Sequence, residues 1–115
     1  MNFKKVIYVF FTLMSLTTIA GFLYDQNAIS LFIAATINII STMLKIGVNN
    51  TLAAEQMSGS LVADLHLIPA FILFTVYGQI QVSIALVIGA MIATLFSALL
   101  ILIESSKLRL DTEEY

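Results

Sequence analysis

The residues best suited to chemistry in this chain are a few ionisable side chains set inside long apolar stretches. Asp64 and His66 interrupt one such stretch, and Lys45 ends another. Ionisable groups in hydrocarbon are expensive, so they indicate a function or a pairing partner. Asp64 could hold a proton or a cation, form an ion pair with Lys45, or face cytoplasmic water. We favour the ion pair, because a buried carboxylate needs a partner and Lys45 is the basic residue nearest in depth.

Two stripes of polar side chains surround this pair, since residues three or four apart share a helix face. The first stripe is Asn38, Thr42, Lys45 and Asn49, and the second is Ser60 and Asp64. Two facing stripes could line a crevice, but they are more often hydrogen-bond contacts between helices, which is the interpretation we favour. The candidate intramembrane polar cluster is Asn38, Thr42, Lys45, Asp64 and His66.

His66 follows Asp64 by two residues, about 200° around a helix, so the two side chains do not form a catalytic dyad. We expect His66 to bond a neighbouring helix or a second protomer. Pro69 lacks an N–H and frees the Leu65 carbonyl. That carbonyl could help to hold a cation, but acceptance of a bond from a Ser or Thr hydroxyl is the commoner arrangement.

Motifs of catalysis and cofactor binding are missing from the sequence. It contains no nucleophile–base pair, no metal ligands at a binding spacing and no glycine-rich phosphate loop. The absence of cysteine excludes disulfides and thiolate metal sites, and the net charge of -2 argues against a nucleic-acid partner. We therefore expect neither an enzyme nor a cofactor.

The elements that carry these residues follow from composition. The chain is 60% hydrophobic and 10% charged, against about 25% charged residues in soluble domains. Its apolar residues form runs, so a bilayer is the expected solvent, and a helix needs about 20 such residues to cross it. Four segments qualify: residues 6–24, 28–45, 61–77 and 80–103. Their runs do not alternate apolar with polar residues, which excludes a transmembrane β-barrel.

This pattern predicts an all-α fold, a four-helix integral membrane bundle that forms one transmembrane domain over residues 1–115. Short connections make the first two spans, and the last two, antiparallel hairpins. Residues 46–60 form the loop between the hairpins, part of which could be a short helix on the membrane surface. Residues 104–115 form an acidic, solvated tail.

Basic residues predict the orientation of these spans. The five are Lys4, Lys5, Lys45, Lys107 and Arg109. With four spans, all five fall in the N-terminal segment, the middle loop or the C-terminal tail. Because basic residues concentrate on the cytoplasmic side, both termini are expected in the cytoplasm.

The fourth span carries two stripes of small residues, which let helices approach closely. The first stripe is Ala85, Gly89, Ala93 and Ser97, and it is expected to pack within the bundle. The second is Ala90, Thr94 and Ala98, and it leaves room for a partner. Homo-oligomerisation and docking on a larger membrane protein are both compatible with this pattern.

One run of sequence carries a family resemblance. The segment SLVADLHLIPA at residues 60–70, which follows KIG at residues 45–47, resembles a small family of uncharacterised bacterial inner-membrane proteins. The resemblance implies a four-helix fold in the bacterial inner (cytoplasmic) membrane, but no activity. The chain is also similar in size to the small multidrug resistance exporters, but the essential Glu of their first span has no counterpart in residues 6–24.

Two functional hypotheses follow. The first is a non-enzymatic, multi-pass integral membrane protein that acts as a homo-oligomer or as an accessory subunit of a larger membrane complex. The rival is a small ion- or proton-coupled transporter or channel that uses Asp64, with Asn38, Lys45 and His66 around it.

Overall fold

Four helices make up the structure, a computed structural model that describes residues 3–47 and 52–113. In chain order they are α1 (Phe3–Tyr24), α2 (Ala28–Lys45), α3 (Ala53–Thr75) and α4 (Ile80–Glu113). All four are long and apolar enough to cross a membrane. The all-α architecture predicted from the sequence is confirmed.

The helices end where the sequence favours turns. Asn27 caps α2, because its Oδ1 accepts a hydrogen bond of 2.8 Å from the backbone N–H of Ser30. Gly47 follows α2 with a φ of 84°, and Gly78 follows α3 with a φ of 64°. Both lie in the left-handed region that glycine adopts without steric cost, so each glycine lets the chain turn out of its helix.

Two helices run further than the apolar segments of the sequence. α3 begins at Ala53, so residues 53–60 belong to that helix and not to a loop or a separate surface helix. α4 continues past residue 103 to Glu113. The physical reason is that adding a residue to an existing helix gains a backbone hydrogen bond whether or not the residue is apolar. The expected loop and tail are therefore largely helical over the described residues.

The helices stand at the corners of a square, in which α1 packs on α2, α2 on α3, α3 on α4, and α4 on α1. Over the described residues, no Cα atoms of either diagonal pair, α1 with α3 or α2 with α4, come within 8 Å of each other. The molecule measures 57 × 22 × 21 Å, and α4 accounts for its length.

The interior of the bundle has two different halves. The half near the α1–α2 and α3–α4 turns, called here the apolar half, is filled by Ile19, Phe22, Leu31, Leu67 and Val87. The opposite half, called here the polar half, lies toward the end of α2 at Lys45. Its buried polar residues are Thr12, Ser15, Asn38, Ser41, Thr42, Lys45, Gln56, Ser60, Thr94, Ser97 and Glu104. Large aliphatic side chains cover the outside instead, which is the arrangement expected in hydrocarbon.

Candidate functional site

Asp64 lies half-buried on α3, facing α2. Its Oδ1 accepts a hydrogen bond of 2.5 Å from Nδ2 of Asn38, and its Oδ2 accepts one of 2.7 Å from the hydroxyl of Thr42. The polar stripe on α2 thus faces Asp64, as its helical spacing predicts. Both carboxylate oxygens of Asp64 are therefore engaged by side chains of α2.

Lys45 is buried at the last turn of α2, with 5% of its surface exposed. Its Nζ donates to the hydroxyl of Ser41 at 3.2 Å and to the hydroxyl of Ser60. Among the residues that the structure describes, Lys45 forms no ion pair with Asp64 within 4.0 Å. The expected direct contact between Lys45 and Asp64 is therefore wrong, because Ser60 and Asn38 lie between the two charges.

Asn38 connects three helices through one side-chain amide. Its Oδ1 accepts a hydrogen bond of 2.6 Å from Ser15 of α1, while its Nδ2 donates to Asp64 and, at 3.3 Å, to the carbonyl of Ser60. The route from Lys45 to Asp64 therefore runs through Ser60 and Asn38. This bridging arrangement places the two charges in one hydrogen-bonded network.

The hydroxyls of α1 are the part of the network that sequence reasoning missed. Thr12 lies 3.0 Å from the hydroxyl of Ser41, and Ser15 bonds Asn38. A signal exists in the spacing of the buried residues of α1, which are Tyr8, Thr12, Ser15, Ile19 and Phe22. They recur at intervals of three or four, which marks one buried face on an otherwise apolar helix. Asn49, predicted on the α2 stripe, lies outside the described residues.

The contribution of α4 to the polar half is also different from the one expected. Thr94 is buried and bonds the carbonyl of Ala90, and Ser97 donates to the carbonyl of Gln56 at 2.7 Å. Ala90 and Ala98, predicted to leave room for a partner, are buried inside the bundle instead. The amide of Gln56 is buried, and neither of its side-chain polar atoms has a partner in the part of the chain that the structure describes.

The chemistry open to this cluster follows from which atoms face Asp64. A bound cation needs oxygen lone pairs around it, but Asn38 turns an N–H toward the carboxylate. The Lys45 ammonium supplies the compensating positive charge from within the chain. Over residues 3–47 and 52–113, no group of three His, Asp or Glu side chains could hold a metal ion. The arrangement is suited to holding α1, α2 and α3 together.

His66 stands apart from the other four members of the candidate cluster. Its Nδ1 donates to the carbonyl of Val62 at 2.8 Å, since a carbonyl can only accept. Its ring lies on Gly89 of α4, where a Cβ atom would come within 2.7 Å of the ring. The expected bond to a neighbouring helix is therefore replaced, within this chain, by a bond to its own helix and a close contact with α4.

Comparison with known proteins places the chain in a family. No curated protein and no solved structure matches it. A model of a family of unknown function, DUF6394, matches residues 25–105, which include α2, α3 and the five residues of the candidate cluster. The resemblance to an uncharacterised small family is thereby confirmed, and the chain belongs to the DUF6394 family of unknown function.

Proposed function

We propose that this chain is a multi-pass integral membrane protein of the bacterial inner membrane, with both termini in the cytoplasm. Four helices of sufficient length and hydropathy support the membrane location. Large aliphatic side chains on the outer surface, such as Leu65, Ile92 and Leu102, support it as well. The orientation rests on the basic residues, which four spans bring to the same side.

Within that membrane, the protein acts by assembly and not by catalysis, as a homo-oligomer or as an accessory subunit of a larger membrane complex. The observation that carries this proposal is the closed network around Asp64 and Lys45. Both charged groups are engaged by side chains of their own chain, and the exterior of the bundle is apolar. Such an exterior can interact with lipid or with other membrane helices.

The experiment that tests this proposal is a pull-down of the tagged protein from native membranes in mild detergent, followed by mass spectrometry. Co-purification of a larger membrane protein in stoichiometric amount identifies an accessory subunit. Recovery of this chain alone, in multimers, identifies a homo-oligomer. Recovery of the monomer alone, from membranes cross-linked before extraction, overturns the proposal.

A second candidate function is favoured by one observation. Asp64 is half-exposed, and the polar residues of the interior lie almost entirely in one half of the bundle, as expected for a proton or cation pathway entered from that side. Replacing Asp64→Asn separates the two candidates. An ion- or proton-coupled transporter loses flux in proteoliposomes while its assembly stays normal, whereas an assembly protein loses stability or association.

A further inference from the structure

Asp64 lies deep in the hydrocarbon if α3 spans the membrane as proposed above. It is eleven residues before the end of α3 at Thr75, or roughly 16 Å along the helix from that end. Hydrocarbon is about 30 Å thick, so the lipid headgroups of neither surface reach this depth. A carboxylate in such a place is costly unless hydrogen-bond donors or a positive charge cover it.

The half-exposed side of Asp64 faces the outside of the bundle, at the seam between α2 and α3. Phe71 of α3 contacts Phe32 of α2, with 5.6 Å between the ring centroids, and Phe32 is 56% exposed. This contact therefore marks the outer edge of the seam. Asp64 precedes Phe71 by seven residues and Ile39 follows Phe32 by seven, which is two helical turns in each case. Asp64 and Ile39 thus lie along the same outer edge.

Apolar side chains surround the carboxylate on this outer edge. Leu61 and Ile68 stand one turn before and one turn after Asp64 on α3, and they are 47% and 44% exposed. Ile39, on the α2 side of the seam, is also exposed. These four residues, Ile39, Leu61, Asp64 and Ile68, are called here the Asp64 surface. It is an apolar face with one charge at its centre.

The chain itself covers only the inner side of the Asp64 carboxylate. Its donors are Asn38 and Thr42, both buried on α2. An ionised carboxylate has about four lone-pair sites, so these two hydrogen bonds leave about half of its capacity unused. Lys45 forms no ion pair with Asp64 in the part of the chain that the structure describes. The outer side of the carboxylate is therefore open to a cation from another molecule.

A second copy of this chain has no basic side chain to offer at that depth. Lys45 is buried and bonded within its own network. The other basic residues stand at least 19 residues from the ends of α1 and α4 that adjoin the turns, namely Tyr24 and Ile80. That is about 29 Å or more along the helix, which is the far edge of the hydrocarbon or beyond it. These other residues are Lys4, Lys5, Lys107 and Arg109.

We propose that the Asp64 surface is the docking site for a transmembrane helix of a different protein, and that this helix carries a lysine or arginine that pairs with the Asp64 carboxylate. This inference rests on the proposed assembly function, and it selects the accessory subunit over the homo-oligomer. Charge complementarity identifies the occupant, because lipid tails carry no charge. An ion pair in hydrocarbon is held firmly, since no water competes for either charge. Ile39, Leu61 and Ile68 supply the apolar contacts around it.

The test uses the purified full chain in liposomes together with synthetic transmembrane peptides. One peptide is a polyleucine helix with a single central Lys, and two matched peptides carry Gln or Leu at that position. The chain has no cysteine of its own, so Gln26→Cys at the exposed α1–α2 turn carries an acceptor dye. Energy transfer from donor-labelled peptides then measures association. We expect the Lys peptide to bind about tenfold more tightly than the Leu peptide, the scale of polar contacts between model membrane helices.

Two pairs of variants locate the contact. Asp64→Asn should abolish the preference for the Lys peptide, and Glu55→Gln, an exposed acid in the first turn of α3, should keep it. Because Asp64→Asn also disturbs the internal network, the second pair leaves that network intact. Leu61→Trp puts bulk beside the carboxylate and should lower binding of the Lys peptide to the level of the Leu peptide. Val62→Trp, at an exposed position on the other side of α3, should not.

Equal binding of the Lys and Leu peptides by the protein with Asp64 intact overturns the inference. Equal binding of the Lys and Gln peptides overturns the ion pair, and with it the requirement for a basic partner. Energy transfer between copies of the chain that Asp64→Asn abolishes replaces the different protein with a second copy. If the peptides fail while the pull-down from native membranes still recovers a larger membrane protein, the proposed function stands without the Asp64 surface.

Discussion

Asn38 shows how one polar side chain can organise a four-helix bundle. Its amide bonds Ser15, Asp64 and the Ser60 carbonyl, so α1, α2 and α3 meet at one group. The same geometry makes the position vulnerable. Each partner is part of one hydrogen-bonded network, and the hydrocarbon of the proposed membrane location offers no water to replace a lost bond.

We expect Asn38→Ala to destabilise the folded bundle by about 2–4 kcal/mol. The substitution leaves the Ser15 hydroxyl without its acceptor and removes a donor from Asp64. Equilibrium unfolding in mixed micelles, followed by circular dichroism, measures this change. Thr36→Ala is the matched control on the same helix, since Thr36 is exposed and bonds only its own helix. The control should shift monomer stability by less than about 0.5 kcal/mol. Equal effects of the two substitutions would count against the network.

The charges of Asp64 and Lys45 should be energetically coupled although they do not touch. Asp64→Asn is expected to cost about 2–3 kcal/mol, because it leaves the buried Lys45 ammonium uncompensated. Adding Lys45→Met removes that ammonium, so the double variant should lose about 1 kcal/mol less than the sum of the singles. The same unfolding measurement gives the coupling, and Glu55→Gln, an exposed acid on α3, serves as the control. Strict additivity would show that the charges act independently.

At the scale of elements, the contact between α3 and α4 depends on glycine. A Cβ added at Gly59 would lie 3.1 Å from the Ala93 carbonyl and 3.2 Å from the Ser97 hydroxyl. The first of these atoms is backbone, so relief requires that the helices move apart. Gly21, in contrast, sits on α1 with nothing within 4 Å of an added Cβ.

We therefore expect Gly59→Ala to destabilise the bundle by about 1–3 kcal/mol through overpacking. Gly21→Ala should be neutral or stabilising by up to about 1 kcal/mol, because alanine favours helix. Thermal unfolding of both variants in the same detergent checks the difference. If the two behave alike, α3 and α4 do not rely on close approach at Gly59.

The sequence predicts the positions of the helices only where they consist of apolar residues. The limits of α2 agree with the apolar segment, because Asn27 caps the start of the helix and Gly47 turns the chain after its end. The first turns of α3 and the last turns of α4 were missed, since residues 53–60 and 104–113 are mixed in polarity. Length and hydropathy detect only the part of a helix that lies in the membrane.

The candidate site was predictable on α2 and α3, where ionisable residues stand out, but not on α1. Thr12 and Ser15 look unremarkable in an apolar helix, where hydroxyls commonly bond their own backbone. Only the packing of α1 on α2 reveals that they bond Ser41 and Asn38. The sequence places His66 beside Asp64 and so suggests that it belongs to the network. Its ring packs against α4 instead, because Gly89 has no Cβ to exclude it.

At the scale of the whole molecule, the orientation in the membrane can be measured with single cysteines. Gln26→Cys lies in the α1–α2 turn and Glu55→Cys in the first turn of α3, both at exposed positions. Because the basic residues favour the cytoplasmic side, a membrane-impermeant maleimide should label Gln26→Cys in intact spheroplasts. It should label Glu55→Cys only after lysis. The reverse pattern would invert the proposed topology.

The division of the interior into an apolar and a polar half has an electrical consequence. A membrane voltage does work on a charge in proportion to the field that the charge crosses, about 2.3 kcal/mol per 100 mV for the full thickness. Lys45 and Asp64 carry opposite signs, both lie in the polar half, and Ser60, which bonds Lys45, is one helical turn from Asp64. Their contributions to that work nearly cancel. This pair of charges should therefore add little to any response of the fold to polarisation of the membrane.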